Sequence, residues 1–284
     1  MIVRFKRPDG SIAWGWRSQQ GIQDVCAADD SLPTSTRELI LRWKELQSRI
    51  VSLIKKLGPS DQPLELLCPL DTPGKILCIG LNYRDHAIET NAPIPEEPIV
   101  FSKAPSSLIG PEDPIEIPSI SQQVDYEAEL VVVVGERLKK SSQEQAQQAI
   151  FGYTAGNDIS ARDWQKGKPG KQWLLGKSFD TFAPIGPAIA LASSILDPQN
   201  LKIQSRLNGQ LMQDSSTREL IFSPAMLLSY ISQVLTIEPG DLLFTGTPAG
   251  VGVARDPQVF LKPGDRIEVQ IESIGTLSNL CVEG

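Results

Sequence analysis

The spacing of hydrophobic residues changes along the chain, and the first pattern is helical. Between residues 35 and 57, apolar residues lie three or four positions apart, as on one face of an α-helix. They are Leu39, Trp43, Leu46, Ile50 and Leu53. Gly58 and Pro59 follow, and this pair is typical of a helix end. With a hairpin-like start around residues 5–12, residues 1–70 are predicted to form a small N-terminal α+β unit.

From residue 75 onward, short runs rich in β-branched and aromatic residues are separated by Gly, Pro and Asp, which predicts strands. The predicted strands are residues 75–80, 99–103, 115–118, 127–135, 151–157, 188–191, 201–207, 210–213, 242–245 and 266–271. Regular alternation of strands and helices is absent, so a Rossmann fold or a parallel barrel is not favoured. After a Pro-rich connection, residues 75–284 are predicted to form a mixed α+β, β-dominated main domain with mostly antiparallel strands.

Two local signals in this domain are strong. Asn208 and Gly209 stand between two runs of alternating polarity, which predicts a tight hairpin turn. Ser223 followed by Pro224 predicts the start of a helix, because serine caps helices and proline fits their first position.

Composition and charge narrow the class of protein. The chain has 284 residues, of which 40% are hydrophobic and 21% charged, as in ordinary globular proteins. Its formal net charge of −7 opposes binding to phosphate backbones, so no nucleic-acid partner is expected. No apolar run approaches the roughly 18 residues of a membrane span, and the first residues lack an apolar signal core, so we expect a soluble, cytoplasmic protein without a membrane partner. The 4 cysteines form no CxxC pair and are predicted to be reduced thiols.

Two glutamates precede a run of valines. In a strand, Glu127 and Glu129 would point to the same face, with Cα atoms about 6.5–7 Å apart. A buried strand with two adjacent carboxylates needs a proton or a hard divalent ion to relieve their repulsion. The alternative is a solvated strand edge, which the run Val131–Val134 disfavours.

A third carboxylate, Asp158, follows the next apolar strand and could complete the ligands that Mg²⁺ or Mn²⁺ needs. Taken alone, Asp158 fits an Asx turn or a helix cap better. Arg162 and Gln165 follow on one side of the next turn, and their side chains suit the binding of a carboxylate.

The sole histidine, His86, lies three positions before Glu89, a spacing that lets the two side chains meet on a helical turn. A carboxylate orients an imidazole and raises its basicity, so the pair is a candidate general base. A surface ion pair is the alternative. The position of His86 after a predicted buried strand ending at Gly80 argues against it.

Two further segments are candidates for substrate binding. The run 176–178, Gly-Lys-Ser, resembles the end of a phosphate-binding loop, but the first glycine of that motif would fall at Lys171, so an NTPase is excluded. Lys177 is then either a partly buried cation for an anionic substrate or a solvated loop lysine. The glycines after Thr247 allow backbone amides to meet a ligand, although a sharp turn explains them equally well.

The segment between Trp164 and Trp173 holds three lysines and two glycines. This composition predicts a mobile, cationic flap beside the pocket, anchored at its ends by the tryptophans. An ordinary exposed loop is the alternative.

Motifs from these segments occur in a characteristic order. They are GLNYRDHAIE (residues 80–89), DYEAEL (125–130), NDISARDWQ (157–165), GKSFD (176–180) and GDLLFTGTPAGVG (240–252). Together they resemble the fumarylacetoacetate hydrolase superfamily over about residues 75–284. The run 171–182 looks most like the branch of that superfamily that is assigned oxaloacetate keto–enol tautomerisation.

The resemblance implies a catalytic β-roll domain that forms a homodimer. It implies that Mg²⁺ or Mn²⁺ is held by Glu127, Glu129 and Asp158, and that His86 and Glu89 form an acid/base dyad on a mobile lid. The matches to groups that bind or polarise the substrate are Arg162, Gln165, Lys177 and Thr247. Nothing is implied for residues 1–70.

The chemistry of such a site suits a small 2-oxoacid, which chelates a hard cation through its carboxylate and 2-oxo oxygen. Negative charge on that oxygen is then stabilised when the adjacent carbon loses a proton, CO₂ or an acyl group. Tautomerisation of oxaloacetate is the first expectation. Decarboxylation of oxaloacetate and hydrolysis of an acylpyruvate or a fumarylacetoacetate-like diketone are the alternatives within the superfamily. A catalytically silent binding protein is the alternative outside it.

Overall fold

The computed structural model describes residues 1–284 and consists mainly of strands. The strands are β1 (Ile2–Lys6), β2 (Ile12–Ser18), β3 (Gly21–Gln23), β4 (Glu65–Leu67), β5 (Ile76–Gly80), β6 (Ile99–Lys103), β7 (Leu108–Ile109), β8 (Ile115–Ile117), β9 (Val124–Asp125), β10 (Ala128–Val134), β11 (Ile150–Asn157), β12 (Ser160–Ala161), β13 (Ala183–Leu191), β14 (Lys202–Leu207), β15 (Gln210–Ser216), β16 (Leu242–Phe244), β17 (Arg266–Ile271) and β18 (Gly275–Glu283). The α-helices are α1 (Thr36–Leu41), α2 (Trp43–Ile54), α3 (Arg84–Glu89), α4 (Gln143–Gln148), α5 (Arg162–Gln165), α6 (Trp173–Lys177) and α7 (Pro224–Ser232). The predicted mixed α+β, β-dominated class is confirmed.

Most strands belong to one large sheet with the order β3-β2-β1-β13-β11-β10-β16-β5-β6, in which β4 also pairs with β1 and β7 with β13. A second sheet has the order β15-β14-β17-β18-β8. The parallel pairs are β5 with β16, β7 with β13, and β8 with β18. The other neighbours are antiparallel, as the sequence predicted.

Strand β10 lies at the centre of the large sheet and is buried along its whole length. Its alternate side chains enter two different cores, with Leu130 and Val132 in one and Val131 and Val133 in the other. A strand that is covered on both faces needs an uninterrupted apolar run rather than an alternating one. This explains the valine run that follows the two glutamates, and it disfavours the solvated edge considered for them.

The N-terminal residues join the large sheet through β1, where Ile2 lies opposite Ile189 of β13. The helix predicted over residues 35–57 forms as two helices that meet at Arg42, which has non-helical dihedral angles. On either side of that residue, Leu39 and Ile50 pack into the same core as Val131. The boundary between residues 70 and 75 stays a prediction.

The local signals correspond to observed features. Asn208 and Gly209 have positive φ angles of 51° and 81° in the turn between β14 and β15. The Ser223 hydroxyl accepts a hydrogen bond from the Met226 N–H and caps α7. Strand β18 was not predicted, because a buried polar residue, Asn279, interrupts its apolar alternation.

No helix in the structure combines the length and the apolar character that crossing a bilayer requires. All four cysteines carry free thiols. Burial raises the pKa of Cys281 to about 12 and the pKa of Cys26 to about 11, so these thiols stay protonated at neutral pH.

Candidate active site

The carboxylate centre, which we define as Glu127, Glu129 and Asp158, forms where β10 begins and β11 ends. The two strands are antiparallel, with Glu129 opposite Gly156. Glu127 and Asp158 flank this pairing, and the Asp158 N–H donates to the Glu127 carbonyl at 2.9 Å. All three side chains are buried, and one carboxylate oxygen of each lies within 4.8 Å of the others. Sheet pairing therefore brings together the three carboxylates that the sequence predicted as metal ligands.

Three buried cations surround this centre. Lys177 Nζ lies 2.7 Å from Glu127 Oε2 and 2.7 Å from Asp158 Oδ2. Lys103 Nζ lies 2.6 Å from Asp158 Oδ1. Arg162 Nη2 donates to Glu127 Oε1 at 2.6 Å. Each ion pair is withdrawn from water, so it fixes geometry more strongly than a surface pair does.

The balance of charges differs between the two glutamates. Burial alone would raise the pKa of Glu127, but Lys177 and Arg162 outweigh it and hold that pKa well below its usual range. Burial and the negative charges of Asp158 and Glu127 raise the pKa of Glu129 well above its ordinary value. Glu129 is therefore the member of the centre that most needs an added positive charge.

The donor set left at the centre fits a metal ion. One oxygen of Glu129 accepts a hydrogen bond from the Gly246 N–H at 2.7 Å, and its other oxygen has no partner in the chain. Glu127 and Asp158 can keep their cationic partners and still act as ligands, because each carboxylate oxygen has two lone pairs. An all-oxygen set of three carboxylates suits a hard divalent cation such as Mg²⁺ or Mn²⁺.

His86 and Glu89 lie on α3, which we call the dyad helix. Their spacing of three residues places His86 Nδ1 2.9 Å from Glu89 Oε2, the pairing that the sequence predicted. The other carboxylate oxygen, Glu89 Oε1, accepts a hydrogen bond from the Gly250 N–H at 2.8 Å. Glu89 therefore orients the imidazole and is itself oriented by the glycine-rich loop after β16.

The dyad helix is attached to the rest of the domain through side chains at its start. Asn82 donates to the carbonyls of Phe222 and Thr245 at 3.1 and 2.7 Å. Arg84 donates to the Leu220 carbonyl at 2.8 Å. These bonds attach a helix of six residues, Arg84–Glu89, to other parts of the domain.

The loop after β16 requires its glycines. Gly246 has a φ of 100°, and a Cβ atom there would lie 2.8 Å from the Cβ of Asn82. Between the glycines, the Thr247 hydroxyl donates to the Ala128 carbonyl at 2.9 Å and accepts from Gln213 Nε2 at 2.8 Å. Thr247 is thus held beside the first residue of β10, next to the carboxylate centre.

One cavity of about 380 Å³ connects these parts. The predicted site residues that line it are His86, Glu127, Arg162, Gln165, Lys177 and Thr247. Glu89, Glu129 and Asp158 do not line the cavity. Glu89 contacts the lining residue His86, and Asp158 contacts the lining residue Lys177. Larger cavities of about 670 and 530 Å³ lie elsewhere, and none of the nine predicted site residues lines them.

The lysine-rich segment between Trp164 and Trp173 borders the cavity. Its residues 166–172 are exposed. Trp164 packs edge-on against Phe179 at 5.4 Å, and Trp173 packs against Phe101 at 5.2 Å. Both tryptophans are therefore anchored, and the mobility of the segment stays a prediction.

The sequence interpretation missed several residues that position the site. Lys103 binds Asp158 across 55 residues of sequence. Asp125 accepts from Arg162 Nε at 2.9 Å and from the Gly252 N–H at 2.7 Å. Gln213 holds Thr247 from β15. Of these residues, only Asp125 could have been identified from the sequence, because it stands two positions before Glu127 in the same motif.

Comparisons with known proteins agree with this architecture. Residues 75–282 match the family described as "Fumarylacetoacetate (FAA) hydrolase C-terminal". A Xenopus laevis protein named "Oxaloacetate tautomerase fahd2, mitochondrial" is 46% identical over 287 residues, covering 98% of this chain and 89% of the relative.

Two solved structures extend the similarity. Fumarylacetoacetate hydrolase from psychrophilic Exiguobacterium antarcticum is 36% identical with a TM-score of 0.90, and the match covers 100% of this chain and 99% of that one. Maleylpyruvate hydrolase from Sphingobium sp. SYK-6, solved in complex with manganese(II) and pyruvate, is 29% identical with a TM-score of 0.82, and the match covers 99% of each chain. The chain is therefore an enzyme of the fumarylacetoacetate hydrolase family.

Proposed function

We propose that this protein is a divalent-metal-dependent oxaloacetate keto–enol tautomerase. The observation that carries the proposal is the similarity to the Xenopus laevis oxaloacetate tautomerase at 46% identity over 98% of the chain. The geometry supports it, because a candidate general base and a carboxylate centre adjoin one cavity of about 380 Å³.

Glu127, Glu129 and Asp158 would hold the metal, for which Mg²⁺ is the first choice and Mn²⁺ the second. The manganese in the related maleylpyruvate hydrolase structure supports a divalent ion in this family. When bound, such an ion acts as a Lewis acid that stabilises negative charge on the 2-oxo oxygen of a chelated 2-oxoacid.

Proton transfer, positioning and substrate binding would be carried out by residues of the chain. His86 takes the proton from C3 of the substrate or returns it, while Glu89 keeps the imidazole in the required orientation. Arg162 and Lys177 hold Glu127 in place through ion pairs of 2.6 and 2.7 Å. Gln165 and Thr247 line the cavity and would orient the substrate.

The second candidate is C–C bond hydrolysis, and the similarity to maleylpyruvate hydrolase favours it. In that reaction, His86 would activate a water that attacks the distal carbonyl. Decarboxylation of oxaloacetate is the third candidate and needs neither that water nor a proton transfer from the substrate carbon. All three use the same cavity, so substrate assays must separate them.

The deciding experiment is a panel assay with purified protein and Mg²⁺ on oxaloacetate, acetylpyruvate and fumarylacetoacetate. Loss of enol absorbance, release of CO₂ and release of acid are followed separately. The proposal expects enol-to-keto conversion of oxaloacetate to be the fastest reaction and to disappear with EDTA. Faster cleavage of either diketone, or faster CO₂ release, would refute the tautomerase assignment. Inactivity on all three substrates would favour the silent binding protein.

An oligomeric state and a cellular location are proposed together with this function. A homodimer predicts a mass of twice 31.0 kDa by light scattering. A cytoplasmic location is tested by fractionation of the cells that make the protein, and recovery in an organelle would overturn it. The name of the Xenopus laevis relative places that protein in mitochondria, so mitochondria are the competing compartment.

A further inference from the structure

Three lysine and arginine side chains line the active-site cavity: Arg162, Lys166 and Lys177. Arg162 and Lys177 are already committed, because each contacts two carboxylates in the buried interior. Lys166 differs from both. Its side chain is exposed, and its ammonium group has no carboxylate or hydrogen-bond partner in the chain. Among these cations, Lys166 alone has its full charge available to a ligand.

The surroundings of Lys166 favour an anion at this position. Partial burial, and then the positive charge of Arg162, lowers the pKa of Lys166 below its ordinary value. A carboxylate next to the ammonium group would offset both effects, because an opposite charge favours the charged form.

The neighbouring residue, Gln165, adds neutral donors. Its Oε1 accepts a hydrogen bond from Arg162 Nη1 at 3.0 Å, which fixes the orientation of the amide. The amide nitrogen has no acceptor in the chain, although the residue is 98% buried, with an exposed fraction of 2%. A donor of this kind on a cavity-lining side chain is available to an oxygen of a bound ligand.

We propose that Lys166, assisted by the Gln165 amide, binds the second carboxylate of a dicarboxylic 2-oxoacid. The inference rests on the proposed function for the position of the other end of the substrate, its carboxylate and 2-oxo oxygen at the carboxylate centre. The distal carboxylate would then meet Lys166 within the same cavity, which Glu127 and Lys166 both line. Lys166 is accordingly a specificity residue that separates diacids such as oxaloacetate from 2-oxoacids with an apolar end.

The competing explanation is that Lys166 is a solvated loop lysine without a ligand. Lys168 provides a matched control, because it lies in the same exposed loop and carries the same charge. Its ammonium group stands 4.6 Å from the centre of the Trp164 ring, and it does not line the cavity.

The test compares two ligands that differ by one group. 3,3-Dimethyloxaloacetate and 3,3-dimethyl-2-oxobutanoate both lack a C3 proton, so neither can enolise, and only the first has a distal carboxylate. Their dissociation constants are measured calorimetrically in Mg²⁺ for the wild type and for Lys166→Gln, Lys166→Arg and Lys168→Gln. Melting temperatures of all variants show whether each one is folded.

Lys166→Gln is expected to reduce the preference for the diacid about tenfold, the lower end of the range for a charge-assisted hydrogen bond. Lys166→Arg should restore most of that preference, and Lys168→Gln should leave it unchanged. The inference is overturned by a wild type without a preference for the diacid, by an unchanged preference in Lys166→Gln, or by an equal loss in Lys168→Gln. Neither ligand can tautomerise, and CO₂ release from the diacid is followed during each titration so that any decarboxylation is detected. Failure of the tautomerase assay therefore leaves this comparison interpretable, and the two failures are distinguishable.

Discussion

The carboxylate centre and the dyad helix adjoin the same cavity, but different kinds of structure hold them. The centre lies on β10 and β11, and each of these strands pairs with a neighbour on both sides. Its charges are matched by Lys103, Arg162 and Lys177, all of which are buried. The dyad helix has six residues and lies outside the sheets. A few side-chain hydrogen bonds attach it, and the His86 side chain keeps 14% of its exposure.

This difference indicates that the carboxylate centre is preorganised, whereas the dyad helix leaves access for the substrate. Groups that hold charge must keep their positions, because buried ions that lose their partners are costly. A group that transfers a proton must reach a substrate that enters from solvent, and elements with few contacts open most readily. Substitutions in the centre are therefore expected to change stability and metal binding together, whereas those in the dyad helix should change turnover alone.

The largest effect is expected for Asp158→Asn. This change leaves the ammonium groups of Lys103 and Lys177 without the carboxylate that both contact. We expect about 3–5 kcal/mol of lost unfolding free energy, no measurable Mg²⁺ binding, and activity reduced to background. Denaturant unfolding and calorimetry provide the measurements.

A second variant separates the structural role of Asp158 from metal binding. Adding Lys103→Met removes one stranded ammonium, so it should restore part of the stability without restoring the metal site. Unchanged Mg²⁺ affinity in Asp158→Asn would show that the ion is held elsewhere.

His86→Asn should have the next largest effect, confined to turnover. Loss of a general base typically lowers kcat by about 10²–10⁴-fold. Mg²⁺ affinity and unfolding free energy should match those of the wild type, because the imidazole is not a proposed ligand. Steady-state kinetics with oxaloacetate gives the first quantity and calorimetry the second. A large loss of metal affinity would remove the distinction between the two regions.

Metal binding itself should stabilise the fold through the centre. A ligand at 100 times its dissociation constant adds about 2.7 kcal/mol to the unfolding free energy if it binds only the folded state. Wild type and His86→Asn should gain the same amount from Mg²⁺, whereas Asp158→Asn should gain nothing. Thermal melts with and without EDTA measure the difference. Equal stabilisation of all three proteins would indicate binding away from the carboxylate centre.

Glu89→Gln should have a smaller effect than the loss of His86. The amide oxygen can still accept from Gly250, but the amide nitrogen then faces His86 Nδ1 as a donor and favours the imidazole tautomer whose other nitrogen is protonated. We therefore expect kcat to fall toward the lower end of the range of about 10²–10⁴-fold for loss of a general base. The KM for oxaloacetate should change little, because Glu89 is not expected to contact the substrate. A loss as large as that of His86→Asn would mean that the amide removes the basic tautomer of His86 almost completely, and an unchanged kcat would mean that Glu89 does not orient the imidazole.

Arg84→Met should have the smallest effect. It removes the 2.8 Å bond to the Leu220 carbonyl, worth about 1 kcal/mol, and should change kcat by about threefold or less. Hydrogen exchange in residues 84–89 should accelerate while exchange in β10 stays the same. Arg42→Met, which removes a surface pair with Glu45, is the control and should alter neither.

The sequence predicted the carboxylate centre better than the residues that hold it in place. The reason is that the supporting contacts join residues far apart in the sequence. Glu127 and Glu129 stand in one motif, and the valine run after them reports burial on both faces of β10. Lys103 contacts Asp158 only because β6 lies close to the end of β11 in the folded chain, and no local pattern encodes that approach. The same limit applies to Gln213, which reaches Thr247 from another sheet.

Helix boundaries were difficult to predict for a different reason, because here the sequence pattern is local and regular but the backbone is interrupted. The apolar spacing over residues 35–57 is regular, so periodicity alone predicts one helix. The chain breaks at Arg42, where the dihedral angles leave the helical region. Apolar spacing records which residues face a core and does not record whether the backbone between them is continuous. In β18 the backbone is regular but the apolar pattern is not. The buried Asn279 amide, which donates to two carbonyls, interrupts the pattern, so the strand was not predicted.

The His86 ring is aligned in the cavity only when both hydrogen bonds of Glu89 are present. One oxygen holds the His86 ring and the other holds the Gly250 amide. An outward displacement of the dyad helix would therefore break the second bond and withdraw His86 from the cavity. The base is aligned only while the glycine-rich loop is also in place. A solvent-open enzyme would therefore have its base out of position, and the proton that His86 removes would be shielded from exchange with bulk water. Incomplete deuterium uptake at C3 during turnover in D₂O would be the visible sign of that shielding.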